Sequence, residues 1–336
     1  MSQNHLTWEE ALNSSPGPRE KKEYLILYIK AFIMGIADLI PGVSGGTIAF
    51  ITGIYESLLD AVASLNKELL VDLIKLDFKS LLSKVHVRFI AIVGIGILSA
   101  IFSLASVMHY LINNHPIPTW AAFFGLIGAS IIVIYRHLDG VKNISTYLMI
   151  LVGAVVAYIT VSLIPVDTPY DYWFIYLCGV IGITAMILPG ISGSFLLLIL
   201  GKYEYITGAL KAPFNDGNMT LLIVFACGSA TGLLGFSKTL NYFMKHHHSK
   251  TMAFLTGILI GSMKKMWPWK EVLETKIVRG KVRVLREANI WPEQIDGEFY
   301  LAVALIVLGF VTVLLLESKT KKKENNNQIG GVSSAG

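Results

Sequence analysis

Six stretches of the chain, 88–112, 118–135, 144–164, 219–244, 251–268 and 299–316, are mostly apolar. Each is about as long as the ~20-residue helix that crosses the hydrocarbon of a bilayer. Charged side chains make up 15% of the sequence, against roughly 25% in an average soluble domain, and most fall between these stretches. A water-soluble fold would have to bury six helices that lack a polar face. The pattern predicts an all-α polytopic membrane protein with six full spans.

Two further apolar segments are interrupted. "ADLIPGVSGGTIAF" (37–50) and "AMILPGISGSFLLL" (185–198) align at one fixed offset, pairing Pro41 with Pro189, Gly42 with Gly190, Ser44 with Ser192 and Gly45 with Gly193. The match runs on through Gly53 with Gly201, Tyr55 with Tyr203 and Glu56 with Glu204. A second offset pairs Gly96 with Gly228, Tyr110 with Tyr242, Thr119 with Thr251 and Gly125 with Gly257. Two repeats are therefore expected, 24–164 and 172–316. Each holds one broken element (25–62 and 173–210) followed by three spans. Three is odd, so the second repeat enters from the opposite side, as in the inverted repeats of many secondary transporters.

Loop charges test that topology. Residues 63–88, 136–143 and "KHHHSK" (245–250) are basic, as is the tail 317–336, whereas 113–118 and 165–172 carry no Lys or Arg. The bias puts the N-terminal arm 1–23 and the tail in the cytoplasm. One segment departs from the rule. The insert 269–298 falls outside despite Lys270, Lys276, Arg279, Lys281, Arg283 and Arg286; acids nearly balance them, and "TKIVRGKVRVL" reads as a short hairpin. The arm shows no signal peptide, and the low-complexity tail is expected to be disordered.

Proline removes a backbone donor and turns the residue before it away from helical geometry. In hydrocarbon, each unpaired backbone group costs several kcal/mol, so a break persists only where protein or water satisfies it. Each broken element is read as a re-entrant hairpin of two half-helices, the second starting near Ser44–Thr47 or Ser192–Ser194. Hydroxyls would cap those starts, and free N–H groups with the positive dipole end would face the protein centre. Such a terminus suits an anion, above all a phosphate. One copy could be a packing kink; two inverted copies point to a binding site.

Asp38, three residues before Pro41, faces Met186 in the other repeat and is a candidate for proton or sodium coupling. Glu56 and Glu204 are coupling candidates that could equally snorkel at span ends. Lys238, two turns inside its span, is a candidate counter-charge to phosphate, with Lys30, Lys202 and Arg136 as weaker ones. Cys178 and Cys227 read as buried thiols, and three adjacent histidines suit a solvated loop better than a metal site. No paired carboxylates or Cys/His clusters stand at catalytic spacing, so no enzyme, cofactor or metal centre is expected. The formal charge of +5 reports topology rather than a nucleic-acid partner.

"ADLIPGVSGGTIAFITGIYE" together with "LPGISGSFLLLILGKYE" closely resembles the PopT-type polyprenyl-phosphate transporter family, over about residues 25 to 316. The first motif is the more specific. The resemblance implies a flippase that returns undecaprenyl phosphate from the outer to the inner leaflet of the bacterial cytoplasmic membrane. It also implies a headgroup path along Pro41, Gly42, Ser44, Gly45, Gly46 and Thr47 with Pro189, Gly190, Ser192, Gly193 and Ser194. Gly46 and Thr47 face Ser194 and Phe195, so the hairpins are not expected to be strictly symmetric. The alternative from the residues alone is a transporter or channel for a small soluble anion.

Overall fold

The computed structural model describes residues 14–39, 44–64, 85–136, 143–164, 168–215, 217–278, 281–292 and 294–332, with isolated positions outside these stretches. Pro41 and Gly42 lie outside the described residues, as do most of 65–84 and the loop after Arg136.

The chain is mostly helical and forms two compact units. One comprises Met1–His109 with Leu163–Thr251, the other Tyr110–Ser162 with Met252–Gly336. The first unit holds α1 (Lys21–Asp38), α2 (Gly45–Ile51) and α3 (Tyr55–Ala63), then most of α4 (Val87–Asn114). It also holds α7 (Tyr172–Ile187), α8 (Gly193–Ile199), α9 (Tyr203–Lys211) and α10 (Asn218–His246). The second contains α5 (Pro116–Arg136), α6 (Ile144–Ser162), most of α11 (His248–Met266), β1 (Lys270–Val278), β2 (Lys281–Asn289) and α12 (Gly297–Val332).

Among the described residues, five helices are long and apolar enough to cross a membrane: α4, α5, α6, α10 and the Gly297–Leu315 part of α12. The sixth expected span, 251–268, is a helix of nearly that extent, but Lys250, Lys264 and Lys265 take α11 below the composition of a free-standing span. Most of its apolar side chains are buried all the same, with Ala253, Leu255, Ile258, Leu259 and Met266 fully enclosed and Ile260 exposed. A helix enclosed by protein does not need a continuous apolar surface for lipid.

Within the first unit, α1 packs on α4 and α7 on α10 so closely that a methyl group has no room. A Cβ on Gly96 would lie 2.6 Å from Ala31 Cβ and 3.0 Å from Tyr28 O, and one on Gly228 would overlap Tyr176 O. Tyr28 Oη lies 3.0 Å from Ser99 Oγ, and Tyr176 Oη donates to Thr231 Oγ1 at 2.8 Å. In the second unit, Gly125 meets Ile306 O and Gly257 meets Ile150 O in the same backbone-to-backbone manner. Such small-residue contacts are how helices pack where lipid removes the hydrophobic drive to associate.

β1 and β2 form the expected hairpin, longer than the sequence suggests, in antiparallel register from Lys270 opposite Asn289 to Val278 opposite Lys281. It is tied to the end of α11 by Trp267 Nε1 donating to Ile290 O (2.8 Å) and by Lys265 paired with Glu287 (3.0 Å). Lys270 Nζ sits 4.0 Å above the Trp120 ring, and burial pushes its ammonium down to about 8 against the pull of Glu287. Burial raises the Glu287 carboxyl, but the Lys270 and Lys265 charges outweigh that and hold it below the ordinary range. α12 runs on as helix to Val332, through the tail expected to be disordered. No proline intervenes between Leu315 and Val332.

Candidate functional site: two broken motifs that meet

Each motif is broken twice. The first break in the second copy is fully described: Leu188 is extended (φ −70°, ψ 129°) before Pro189, and Gly190 takes φ +85°. That geometry is what a residue before proline and a glycine in a tight reversal adopt. In the first copy α1 ends at Asp38 and α2 begins after Ser44. The expected return half-helices, about 47–62 and 195–210, are not continuous. A second break falls at Thr52–Gly53–Ile54 and again at Leu200–Gly201–Lys202. Gly53 (φ +71°) and Gly201 (φ +65°) occupy the left-handed region there. The signal was present in the aligned "GIYE" and "GKYE", since a glycine shared at a fixed offset is what a left-handed turn requires.

The start of α2 lies against the end of α7. Ser44 Oγ accepts from Gly46 N–H and donates to Met186 O, both at 3.1 Å. Gly190 N–H donates to Thr47 Oγ1 at 2.7 Å, with Thr47 fully buried. Tyr55 Oη donates to Ile187 O at 2.9 Å. Gly46 has no room for a side chain, because a Cβ would sit 2.8 Å from Met186 O and 2.9 Å from Ile187 O. Two of these bonds take up carbonyls that the ending of α7 leaves over, those of Met186 and Ile187.

The expected free donors at α2 are engaged within the chain. Gly45 N–H donates to Asp38 Oδ1 at 2.6 Å, so a carboxylate of the protein itself holds the place assigned to an external anion. The second copy is built differently. Ser192 Oγ pairs with Ser194 Oγ at 2.9 Å and makes no cap to α8. Gly193 is wedged against Gly182 O. Strict symmetry of the hydroxyl caps is thus absent, in keeping with the mismatch of Gly46 and Thr47 with Ser194 and Phe195.

A cavity of about 130 Å³ opens beside this junction, lined among others by Asp38, Gly45, Gly46, Met186, Leu59 and Ser237. Asp38 and the residue facing it in the repeat, Met186, both reach it. Lys238, next to Ser237 on α10, is exposed and does not line it. Glu56, in the first turn of α3, pairs with His248 (3.0 Å), and His246 Nδ1 lies 2.9 Å from Tyr242 O, so two of the three adjacent histidines are engaged. Glu204 is half-buried in the first turn of α9. Lys202, weighted lightly from sequence, is fully buried: its Nζ donates to Thr168 O at 2.8 Å and sits 3.7 Å above the Tyr170 ring. Cys178 is buried as expected, but Cys227 is exposed, since an apolar helix residue can face lipid as readily as protein.

Residues 34–282, which hold both motifs and the cavity, match the VCA0040-like family, described as undecaprenyl phosphate translocase-like. The chain belongs to this family. It is 37% identical over 306 residues to a polyprenyl-phosphate transporter of Vibrio cholerae serotype O1, covering 89% of this chain and 98% of that one. It is 29% identical over 314 residues to a polyprenyl-phosphate transporter of Staphylococcus aureus, covering 88% and 97%. No solved structure matches the chain significantly. The family match starts within α1 and ends in the hairpin, so α12 lies beyond it.

Proposed function

We propose that this protein returns undecaprenyl phosphate from the outer to the inner leaflet of the bacterial cytoplasmic membrane, with both termini in the cytoplasm. The headgroup would pause near the midplane between the motif tips, around Ser44–Thr47 and Pro189–Ser194, while the prenyl chain stays in lipid. Family membership and the names of the two relatives support the substrate class. The observation that carries the site is the Gly190 N–H bond to Thr47 Oγ1, which brings the motifs together.

The halves are read as an inverted repeat, each a re-entrant element and three spans. The recurrence of Tyr28–Ser99 as Tyr176–Thr231 supports this, as do the matching contacts of Gly96 with Tyr28 and Gly228 with Tyr176. Asp38 would act by exchange: its carboxylate holds Gly45 N–H in the unloaded site and yields to phosphate when a cation or proton neutralises it. Flipping of fluorescent undecaprenyl phosphate in proteoliposomes, with imposed proton and sodium gradients, tests the reading. Asp38→Asn should abolish the response to the gradient. A rate equal to that of protein-free liposomes would refute the function, and an Asp38→Asn protein still driven by the gradient would refute the exchange.

A further inference from the structure

The second break turns α2 into α3 through 118°, and α3 then lies over the cavity with its two faces used differently. Leu58, Leu59 and Val62 line the cavity. Glu56 and Asp60, one helical turn apart, both reach groups on the α10–α11 corner. Asp60 Oδ1 is 2.7 Å from Lys245 Nζ and accepts from Asn241 Nδ2 at 2.7 Å, while Glu56 Oε1 is 3.0 Å from His248 Nε2.

We propose that α3 is a gate over the Asp38 cavity, hinged at Gly53 and latched by the Asp60–Lys245 and Glu56–His248 pairs. As the gate for a lipid headgroup it rests on the transport reading above. The latch is built for release. The Lys245 and Asp60 side chains are 61% and 39% exposed, and those of His248 and Glu56 41% and 61%. Pairs so open to solvent hold weakly and are easily exchanged. α9, which follows the matching break, is held instead by an apolar cluster in which Ile206 and Ala209 pack with Ile175 and Leu221. Burial of that kind does not switch.

The hinge glycine faces open space, since nothing lies within 4 Å of a Cβ placed on Gly53, and the carbonyl before it is held by Lys30 Nζ at 2.6 Å. The pivot beside it is fixed. Tyr55 is buried, bonded to Ile187 O, and packed edge-on against Phe50 at 5.2 Å. Rotation there lifts Leu58, Leu59 and Val62 together and opens Asp38 to the side of the α10–α11 corner.

Ser237→Cys, in a Cys227→Ser background, reports on the cavity through its rate of modification by a small water-soluble methanethiosulfonate on the purified protein. Adding Glu56→Gln and Asp60→Asn should raise that rate about fivefold or more. A rate within about twofold of the parent overturns the gate. Met34→Cys, on another wall of the cavity, repeats the measurement should Ser237→Cys fail to fold. Asp60→Cys with Asn241→Cys, bridged by a short bifunctional thiosulfonate, should stop lipid flipping until reductant is added; flipping at the parent rate while bridged also overturns the gate. Faster modification in a protein that moves no lipid upholds the gate and refutes the transport reading. Lipid movement with an unchanged modification rate does the reverse.

Discussion

Thr47→Val tests the joint between the motifs most directly. Valine keeps the shape of threonine and replaces the hydroxyl by a methyl, so the packing of a fully buried side chain is preserved. What is lost is the acceptor 2.7 Å from Gly190 N–H. Gly190 is itself buried and held at φ +85° by the reversal after Pro189, so it cannot turn its N–H toward water without undoing the break. A buried donor left without a partner costs about 1–3 kcal/mol. Thr47→Ser keeps the acceptor and deletes one methyl, for about 0.5–1.5 kcal/mol by analogy with Ile→Val. Denaturant unfolding in detergent micelles, followed by tryptophan fluorescence, would measure both. The expected order is parent, Thr47→Ser, Thr47→Val, with the valine protein also slowed in lipid flipping. A serine protein as damaged as the valine one would show that packing of the methyl, not the hydrogen bond, couples the motifs. A valine protein as stable as the parent would remove the joint altogether.

Other substitutions separate the two copies. Ser44→Ala should destabilise by about 1 kcal/mol or more in the same unfolding assay, whereas Ser192→Ala, which removes no cap, should cost clearly less. Gly193→Ala should prevent folded protein from accumulating in membranes, since its Cβ meets the backbone oxygen of Gly182. Gly45→Ala should fold but fail in transport, because the atom 2.6 Å from its Cβ is the movable carboxylate Asp38 Oδ2. Lys270, followed by NMR of 13C-methylated lysines, should titrate near 8. Its folded value lies below the ordinary 10.5. Between those values the unfolded chain still holds the proton that the folded one has released, so stability should rise with pH across that window.

The broken motifs were legible because their cause is local. Proline and glycine disrupt a helix wherever they stand, and the extended Leu188 and left-handed Gly190 follow from Pro189 and the glycine beside it. The second breaks lay in view at Gly53 and Gly201 but carry no proline, and a lone glycine is tolerated in many helices. The occupant of the Gly45 N–H could not be read so directly. Asp38 stands seven residues before Gly45, across the break between α1 and α2, and periodicity does not report which side chain reaches over such a break. Lys238 lies beside the cavity without lining it for a related reason. One residue along a helix turns the side chain by about 100°, so Ser237 lines the cavity while Lys238 faces out. α11 was taken for a span equal to the others because its apolar run masks the lysines near its ends, Lys250, Lys264 and Lys265.

The three bonds that join the motifs share a direction: side chains of Ser44, Thr47 and Tyr55 reach across, and only main-chain atoms of Met186, Ile187 and Gly190 answer them. Tolerance to mutation should therefore be lopsided. A saturation library selected for function would hold its hydroxyls fixed at 44, 47 and 55 while admitting many apolar residues at 186 and 187, whose contribution is a carbonyl every amino acid owns. One copy of the duplicated element can then drift in identity while the other is pinned, leaving their junction intact long after their sequences have ceased to look alike.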